Sequence, residues 1–182
     1  MAKLAAKVYG NALFEEALQS GKLDVLFDDV QQLKKVLIEN AELLQLLAHP
    51  NIVKEEKIAV IERVFSGQIC EELTGLLTIV VDKGRQKELL SILDYFIGQV
   101  KAYKKIGVVY VSSAVSLTEE QKEAICKKLL ETTEFRELES HWLVDETLIG
   151  GLVIRIGDRV VDSSVKNKLE EMKRNLMKLQ LA

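Results

Sequence analysis

Residues 148–179 read LIGGLVIRIGDRVVDSSVKNKLEEMKRNLMKL. The stretch combines a Gly-Gly pair, two short alternating segments around a Gly157-Asp158 turn, and a polar helix start at Asp162-Ser163-Ser164. The helix that follows carries apolar residues at intervals of 4, 3, 4 and 3, the spacing of a coiled-coil seam. We expect this seam either to pack on the preceding sheet or to lie partly open for a partner helix. It consists of Val165, Leu169, Met172, Leu176 and Leu179.

The residues just before this stretch continue the same pattern. GVVYVSSA at 107–114 predicts a strand, and Thr118 with Gln121 forms a capping box at the start of a helix. Strand signals return at 138–144 and 148–156, and Gly157-Asp158 predicts a hairpin into Val160-Val161. We therefore predict a small α+β domain of βαββα type over residues 106–182.

Residues 1–105 are predicted to be helical with short breaks. The segment 69–81 is ambiguous, because Leu76–Val81 is rich in β-branched residues and is consistent with a buried strand. The absence of alternation and the following Lys83-Gly84 favour a helix buried on several sides. The expected fold is mainly α, with a six-helix bundle over 1–105. The helices are predicted at 4–18, 23–38, 41–48, 54–65, 69–81 and 86–105.

Composition narrows the classes of protein to consider. The 182 residues are 48% hydrophobic and 29% charged, which is typical of a globular chain with a real core. No apolar run approaches the roughly 20 residues that cross a bilayer, so we expect no direct membrane insertion. The N-terminus lacks the pattern of a signal peptide, which favours a cytosolic location. The net charge of −3 makes nucleic acid a poor first candidate for a partner.

No constellation of residues indicates catalysis, a metal or a cofactor. His49 and His141 lack the partners of a triad or metal motif, and Gly150-Gly151 lies within a strand pattern rather than a phosphate loop. Cys70 and Cys126 belong to no CxxC pair and are expected to be buried free thiols. The paired glutamates lie on helices beside basic residues and are expected to be solvated. An enzyme is therefore a distant possibility.

Two predicted helices, 4–18 and 69–81, are apolar on more than one face. One interpretation makes both of them central helices of the bundle. The other places a groove between them that receives an amphipathic partner helix.

These segments together resemble the delta subunit family of the bacterial rotary ATP synthase, the counterpart of the mitochondrial oligomycin-sensitivity-conferring protein. The resemblance covers nearly the whole chain and depends on several motifs in the right order. They are Val8–Phe14, His49–Ile52 with Lys57, Ile61 and Phe65, Leu76-Leu77 with Asp82–Arg85, Asp145, Leu148–Gly151, Ile156–Asp158, and Val161–Val165 with Leu169.

The resemblance implies a non-catalytic stator part without a cofactor, peripheral on the cytoplasmic side of the bacterial plasma membrane. Its N-terminal domain would bind N-terminal segments of the alpha subunits, and its C-terminal domain the b subunits of the peripheral stalk. The groove hypothesis and this expected grip on alpha coincide on the first and fifth helices. The candidate alpha-binding residues are Val8, Tyr9, Ala12, Leu13, Leu73, Leu76, Leu77 and Val80. The seam residues Leu169, Met172, Leu176 and Leu179 are weaker candidates for the b contact.

The alternative is an RNA-binding or antitermination-type helical adaptor. Such a protein should show a basic face with interleaved aromatic residues. Residues 1–105 carry 14 basic and 15 acidic residues and no cluster of lysine and arginine, which counts against it.

Overall fold

The computed structural model describes residues 2–49, 51–65 and 67–179. The protein is mainly helical with one four-stranded sheet, and it divides into two compact units at residues 101 and 102. The boundary predicted from the sequence falls four residues later. Within the described residues the helices are α1 (Ala2–Gln19), α2 (Leu23–Glu39), α3 (Ala41–Ala48), α4 (Lys54–Phe65), α5 (Glu71–Asp82), α6 (Leu89–Lys104), α7 (Glu119–Thr132) and α8 (Val165–Leu179). The strands are β1 (Ile106–Ser113), β2 (Glu137–Val144), β3 (Leu152–Ile156) and β4 (Arg159–Asp162).

The helical unit, residues 1–101, is built around one apolar core. Each of its longer helices contributes residues at helical spacing, as α2 does through Leu26, Val30 and Leu33. The helix α5 contributes five buried residues over its twelve positions, which confirms the helical interpretation of the ambiguous segment. The expected burial on several sides is wrong, because the buried residues share one broad face at helical spacing and Ile79 on the opposite face is 50% exposed. Helical spacing rather than a strand's explains why the segment shows no alternation.

The C-terminal end of α5 shows why this helix stops. Gly84 has a φ of 68°, a conformation that glycine adopts without steric cost. The Arg85 N–H donates to the Val80 carbonyl and the Gly84 N–H donates to the Val81 carbonyl, both at 2.9 Å. This pair of bonds is a Schellman cap, and it confirms the helix end that Lys83-Gly84 indicated.

The second unit, residues 102–182, contains a sheet with the strand order β2-β1-β3-β4. The parallel pair β1 and β2 is connected through α7, whereas β3 joins β1 and β4 in antiparallel fashion. The predicted capping box is confirmed, because Gln121 N–H donates to Thr118 Oγ1 and Thr118 N–H donates to Gln121 Oε1. The hairpin at Gly157-Asp158 is confirmed by the pairing of Ile156 with Arg159. The sheet has one strand more than the βαββα pattern.

The predicted strand at 148–156 is wrong over its first half. A 3-10 turn occupies Glu146–Leu148, and β3 begins only at Leu152. The Asp145 Oδ1 atom accepts hydrogen bonds from the Thr147 N–H at 3.0 Å and from its hydroxyl at 2.7 Å, which holds this turn. Ile149 then takes a positive φ of 66°, which no extended strand residue has.

Candidate functional site

The two histidines of the chain serve local structure. His49 follows α3, and its Nδ1 accepts a hydrogen bond from the Asn51 N–H at 3.3 Å. Pro50 lies outside the described residues. His141 stacks on Tyr110, with the ring centroids 4.9 Å apart, and its Nε2 lies 3.2 Å from Glu139 Oε1. Across the described residues, no group of three or more His, Cys, Asp or Glu side chains has a geometry that could hold a metal ion.

The Cys70 thiol is not an activated nucleophile. Both cysteines are free, but they are half-buried rather than buried as expected. Cys70 packs at the margin of the helical unit's core, and Cys126 lies on α7, which has no buried residue among those described. The Cys70 N–H donates to Asp29 Oδ2 at 2.8 Å. A hydrogen bond between the thiol itself and the Asp29 carboxylate, together with burial and the negative charge of Asp29, raises the pKa of the Cys70 thiol to about 11. Cys70 is therefore protonated at neutral pH.

The Gly150-Gly151 pair allows close packing of the backbone. Gly151 has a φ of 78°, and a Cβ added there would collide with the Ser163 carbonyl oxygen. A Cβ on Gly150 would lie 3.1 Å from Val165 Cγ2. Both glycines therefore bring the turn before β3 against the start of α8.

The most distinctive feature of the helical unit is an apolar surface on α1. Leu4, Val8 and Ala12 follow one another at intervals of four residues, so they lie on one face of the helix. All three are exposed, and 57% of Val8 is accessible to solvent. The opposite face is buried and includes Ala6, Leu13 and Ala17.

The helix α5 also has a buried face and an exposed face, and its buried face is the larger of the two. Leu73, Leu76, Leu77 and Val80 are buried. The outward face carries Gly75, where a Cβ would meet nothing within 4 Å, and Ile79, which is 50% exposed.

Two contacts show that α1 and α5 lie side by side and antiparallel. Lys22, just after α1, has its Nζ 2.7 Å from Glu72 Oε1 at the start of α5. At the other end, the Arg85 guanidinium lies 5.8 Å from the centre of the Tyr9 ring. The hydrogen bond to Glu72 raises the pKa of Lys22, and the same bond lowers the pKa of Glu72. Both groups are therefore charged at neutral pH.

The predicted alpha-binding residues thus fall into two sets. Val8 and Ala12 are exposed and Tyr9 is half-buried, whereas Leu13 and the four residues of α5 belong to the core. The structure also places on the outward faces three residues that the sequence analysis did not select, Leu4, Gly75 and Ile79. Their signal was present in the sequence, since Leu4 precedes Val8 by four residues and Gly75 precedes Ile79 by four.

The seam of α8 is exposed. Leu169, Met172 and Leu176 are all open to solvent, while Val165 is only partly covered. The fourth predicted seam residue, Leu179, ends the described helix, but its side chain lies outside the described part of the chain. Ser164 caps the helix by accepting a hydrogen bond from the Asn167 N–H at 3.2 Å, within the predicted Asp162–Ser164 start.

The chain resembles known proteins over its full length. A family model described as ATP synthase delta (OSCP) subunit matches residues 5–176. A relative named ATP synthase subunit delta, from Lachnoclostridium phytofermentans, is 49% identical over 181 residues and covers 100% of both chains. Another of the same name, from Halothermothrix orenii, is 32% identical over 174 residues, 96% of this chain and 91% of the relative.

The fold is also similar to that of a solved structure. A chain in the cryo-EM structure of the Toxoplasma gondii mitochondrial ATP synthase hexamer aligns with a TM-score of 0.73, covering 94% of this chain and 97% of that chain. The two sequences are 18% identical, so the likeness concerns the fold alone. Within the residues that the structure describes, no helix is both long and apolar enough to span a membrane.

Proposed function

The chain belongs to the ATP synthase delta (OSCP) family, and on that premise we propose how its two units connect the catalytic head to the peripheral stalk. The protein is a non-catalytic subunit of this stalk. We propose that its helical unit binds N-terminal segments of the alpha subunits and that its second unit binds the b subunits. The observation that carries the proposal is that each unit exposes an apolar helix surface, on α1 and α5 in one and on α8 in the other.

The proposed alpha site is the groove between the outward faces of α1 and α5. The two helices pack antiparallel, and Tyr9 of α1 lies beside Arg85, just past the C-terminal end of α5. We propose that the exposed residues of both helices flank a shared channel. A helix is the occupant that fits, since apolar residues at i and i+4 on both walls match the anchors of an amphipathic helix. In this proposal Tyr9 and Ala12 border the channel. Leu13, Leu73, Leu76, Leu77 and Val80 support it from below.

The proposed stalk site is the seam of α8. Its spacing of 4, 3 and 4 residues over Val165, Leu169, Met172 and Leu176 is that of a two-stranded coiled coil. Leu179 continues the spacing. A helical b segment laid along this seam would bury side chains that the protein itself leaves exposed.

Binding through both units gives the protein a mechanical role. A subunit that grips alpha through one unit and b through the other resists rotation of the catalytic head with the rotor, so that proton flow drives ATP synthesis. We propose that it acts at the periphery of the membrane, on the cytoplasmic side in a bacterium. Family membership leaves the RNA-binding adaptor without support.

Binding of an N-terminal alpha peptide to the full chain tests the head contact. We expect the wild type to bind, and Ile79→Asp to weaken binding at least about tenfold because it places a charge in the channel. Val25→Asp on α2 is the matched control, because Val25 is exposed to a similar extent, 54%. Unchanged affinity in Ile79→Asp, or equal losses in both variants, would overturn the proposed site.

A further inference from the structure

In the described part of the chain, the hydrogen bonds and buried residue that anchor α8 to its unit lie at its first turn. Ser164 is buried, and the Val165 N–H donates to the Gly150 carbonyl at 2.9 Å. Beyond Asn167, every described side chain from Lys168 to Met177 is exposed. A helix of this length is marginal in water without packing against another surface. The structure of α8 is therefore poised to gain stability from a partner.

The charges on α8 are distributed asymmetrically around its seam. With the seam at heptad positions a and d, Lys166 and Lys173 occupy e positions and Lys168 occupies a g position. The acidic residues Glu170 and Glu171 lie at b and c, away from the seam. The apolar stripe is thus flanked by lysines.

We propose that α8 binds an amphipathic helix whose own apolar seam is flanked by acidic residues. This inference rests on the proposed stalk function and specifies the chemistry of the partner at that site. The residues at e and g of two helices face each other across a coiled coil, so lysines on α8 call for Glu or Asp on the partner. A second copy of α8 is disfavoured, because its lysines would face lysines.

An anionic membrane surface fits α8 less well than a helix does. Helices that lie in the bilayer interface carry a wide apolar face with Trp, Phe or Leu residues. The apolar face of α8 is a narrow seam at positions a and d, and residues 165–179 contain no aromatic residue.

A shallow groove extends this surface beyond the N-terminal end of α8. It encloses about 620 Å³ and is lined by apolar side chains that include Val115, Ile125 and Ile149. Gly150 lines the groove and abuts Val165, the first seam residue. The seam and the groove are therefore contiguous, and the end of the bound helix reaches the groove.

Ile149 is held in an unfavourable conformation at the rim of this groove. Its φ of 66° and ψ of −36° are strained for a β-branched residue, yet its side chain is 67% exposed. Strained backbone conformations of this kind cluster at functional sites such as ligand clamps. In the proposed complex Ile149 contacts the partner helix.

A designed peptide tests the inference with the full chain. The probe is an amphipathic helix of about three heptads with Leu at a and d and Glu at e and g, and its control carries Lys at e and g. We expect the acidic peptide to bind, with an affinity that falls as salt rises from about 0.05 to 0.5 M, and the basic peptide not to bind. Equal binding of both peptides would overturn the proposal.

Two charge reversals separate the seam from the rest of the helix. Lys173→Glu should weaken binding of the acidic peptide about tenfold, whereas Arg174→Glu makes the same charge change at position f, opposite the seam, and should change it less than about twofold. Leu169→Asp should abolish binding without unfolding, since Leu169 is exposed. Equal effects of Lys173→Glu and Arg174→Glu would overturn the assignment of the lysines beside the seam as the groups that select the partner. An unchanged affinity of the acidic peptide for Val115→Asp would show that the groove is not part of the binding surface.

Two further measurements distinguish this inference from the proposed function. If a C-terminal segment of b binds wild type and Leu169→Asp equally, the α8 surface is wrong while the stalk function stands. If the acidic peptide requires Leu169 but the b segment does not bind, the surface stands and the b partner is wrong. If the protein binds anionic vesicles of phosphatidylglycerol, loses this binding in Leu169→Asp and does not bind the acidic peptide, then the partner of α8 is a membrane surface and not a helix.

Discussion

The helices α5 and α8 carry nearly the same apolar pattern and use it differently. Leu73, Leu77 and Val80 follow one another at intervals of 4 and 3 residues, and Leu169, Met172 and Leu176 at intervals of 3 and 4. In α5, Leu73 is 0% and Leu77 2% exposed, whereas in α8 Leu169 is 53% and Leu176 65% exposed. One stripe meets the protein's own core, and the other meets solvent.

The rest of each helix explains the difference. The charged residues of α5 are Glu71, Glu72 and Asp82, all at its ends, so its middle is free of charge and its broad apolar face packs into the bundle. Residues 165–179 include seven charged side chains, which leave α8 a single narrow seam. A helix of the second kind can bind a partner without disturbing its own domain. Apolar periodicity alone therefore identifies a helix. The residues around the apolar stripe indicate whether it packs in the protein's own core or stays exposed for a partner.

The largest expected effect comes from a charge placed inside α5. Leu77→Asp should unfold the helical unit, because it buries an unpaired carboxylate and removes core packing. Ile79→Asp, two residues later on the exposed face, should leave the thermal transition within a few degrees of the wild type. Circular dichroism on heating measures both. A folded Leu77→Asp with lost alpha binding would instead show that Leu77 contacts the partner directly.

Truncation to alanine measures the two stripes on one scale. Leu73→Ala should destabilise the protein by about 2–5 kcal/mol, because the cavity it leaves is fully enclosed. Leu176→Ala should change stability by less than about 0.5 kcal/mol. Urea unfolding followed by far-UV circular dichroism gives both values. Comparable losses would mean that the α8 seam packs on its own unit in solution, and that α5 and α8 do not differ in how they use their apolar residues.

Several elements could be predicted from local chemistry. Lys54–Phe65 was predicted with the bounds that α4 has, and the reciprocal bonds of Thr118 and Gln121 followed from their spacing. These features depend on residues close in the chain, so the sequence carries the whole cause. The Schellman cap at Gly84 belongs to the same class.

Features that depend on side-chain competition or on distant neighbours could not be predicted. Leu148–Gly151 looked like the start of a strand, but the Asp145 carboxylate captures the Thr147 backbone and turns the chain before β3. The burial of Leu76 and the exposure of Ile79 depend on which helices surround α5, which periodicity does not specify. For the same reason the candidate binding residues included core positions. Leu4 and Ile79 were omitted although their spacing of four residues from Val8 and Gly75 is visible in the sequence.

A smaller effect is expected from the cap of α8. Ser164→Ala should lower the stability of α8 by about 1 kcal/mol, because the Asn167 N–H loses its hydrogen-bond acceptor at the start of the helix. The loss should fall on α8 alone, since the described contacts of this helix with its unit lie at its first turn, and amides of α5 should keep their protection. Hydrogen exchange resolved by residue measures it. A loss of protection in α5 as well would show that α8 is coupled to the helical unit.

The smallest expected effect is a dependence of α8 on acid, which the packed middle of α5 should not share, although Glu72 at the start of α5 also accepts a hydrogen bond from Lys22. The Ser164 N–H donates to Asp162 Oδ1 at 2.9 Å. Hydrogen bonding by the Ser164 side chain, and then by this N–H, lowers the pKa of Asp162 below its ordinary value. A carboxylate with a lowered pKa stabilises the folded state above its unfolded pKa, and that contribution is lost as the pH falls through the folded value. We therefore expect amides of α8 to exchange faster as the pH drops from about 5 to 2, after correction for intrinsic rates, while core amides of α5 stay protected. Asp162→Asn keeps an acceptor at every pH and should flatten this dependence, whereas an acid transition in α8 identical in Asp162→Asn and wild type would assign it to other carboxylates.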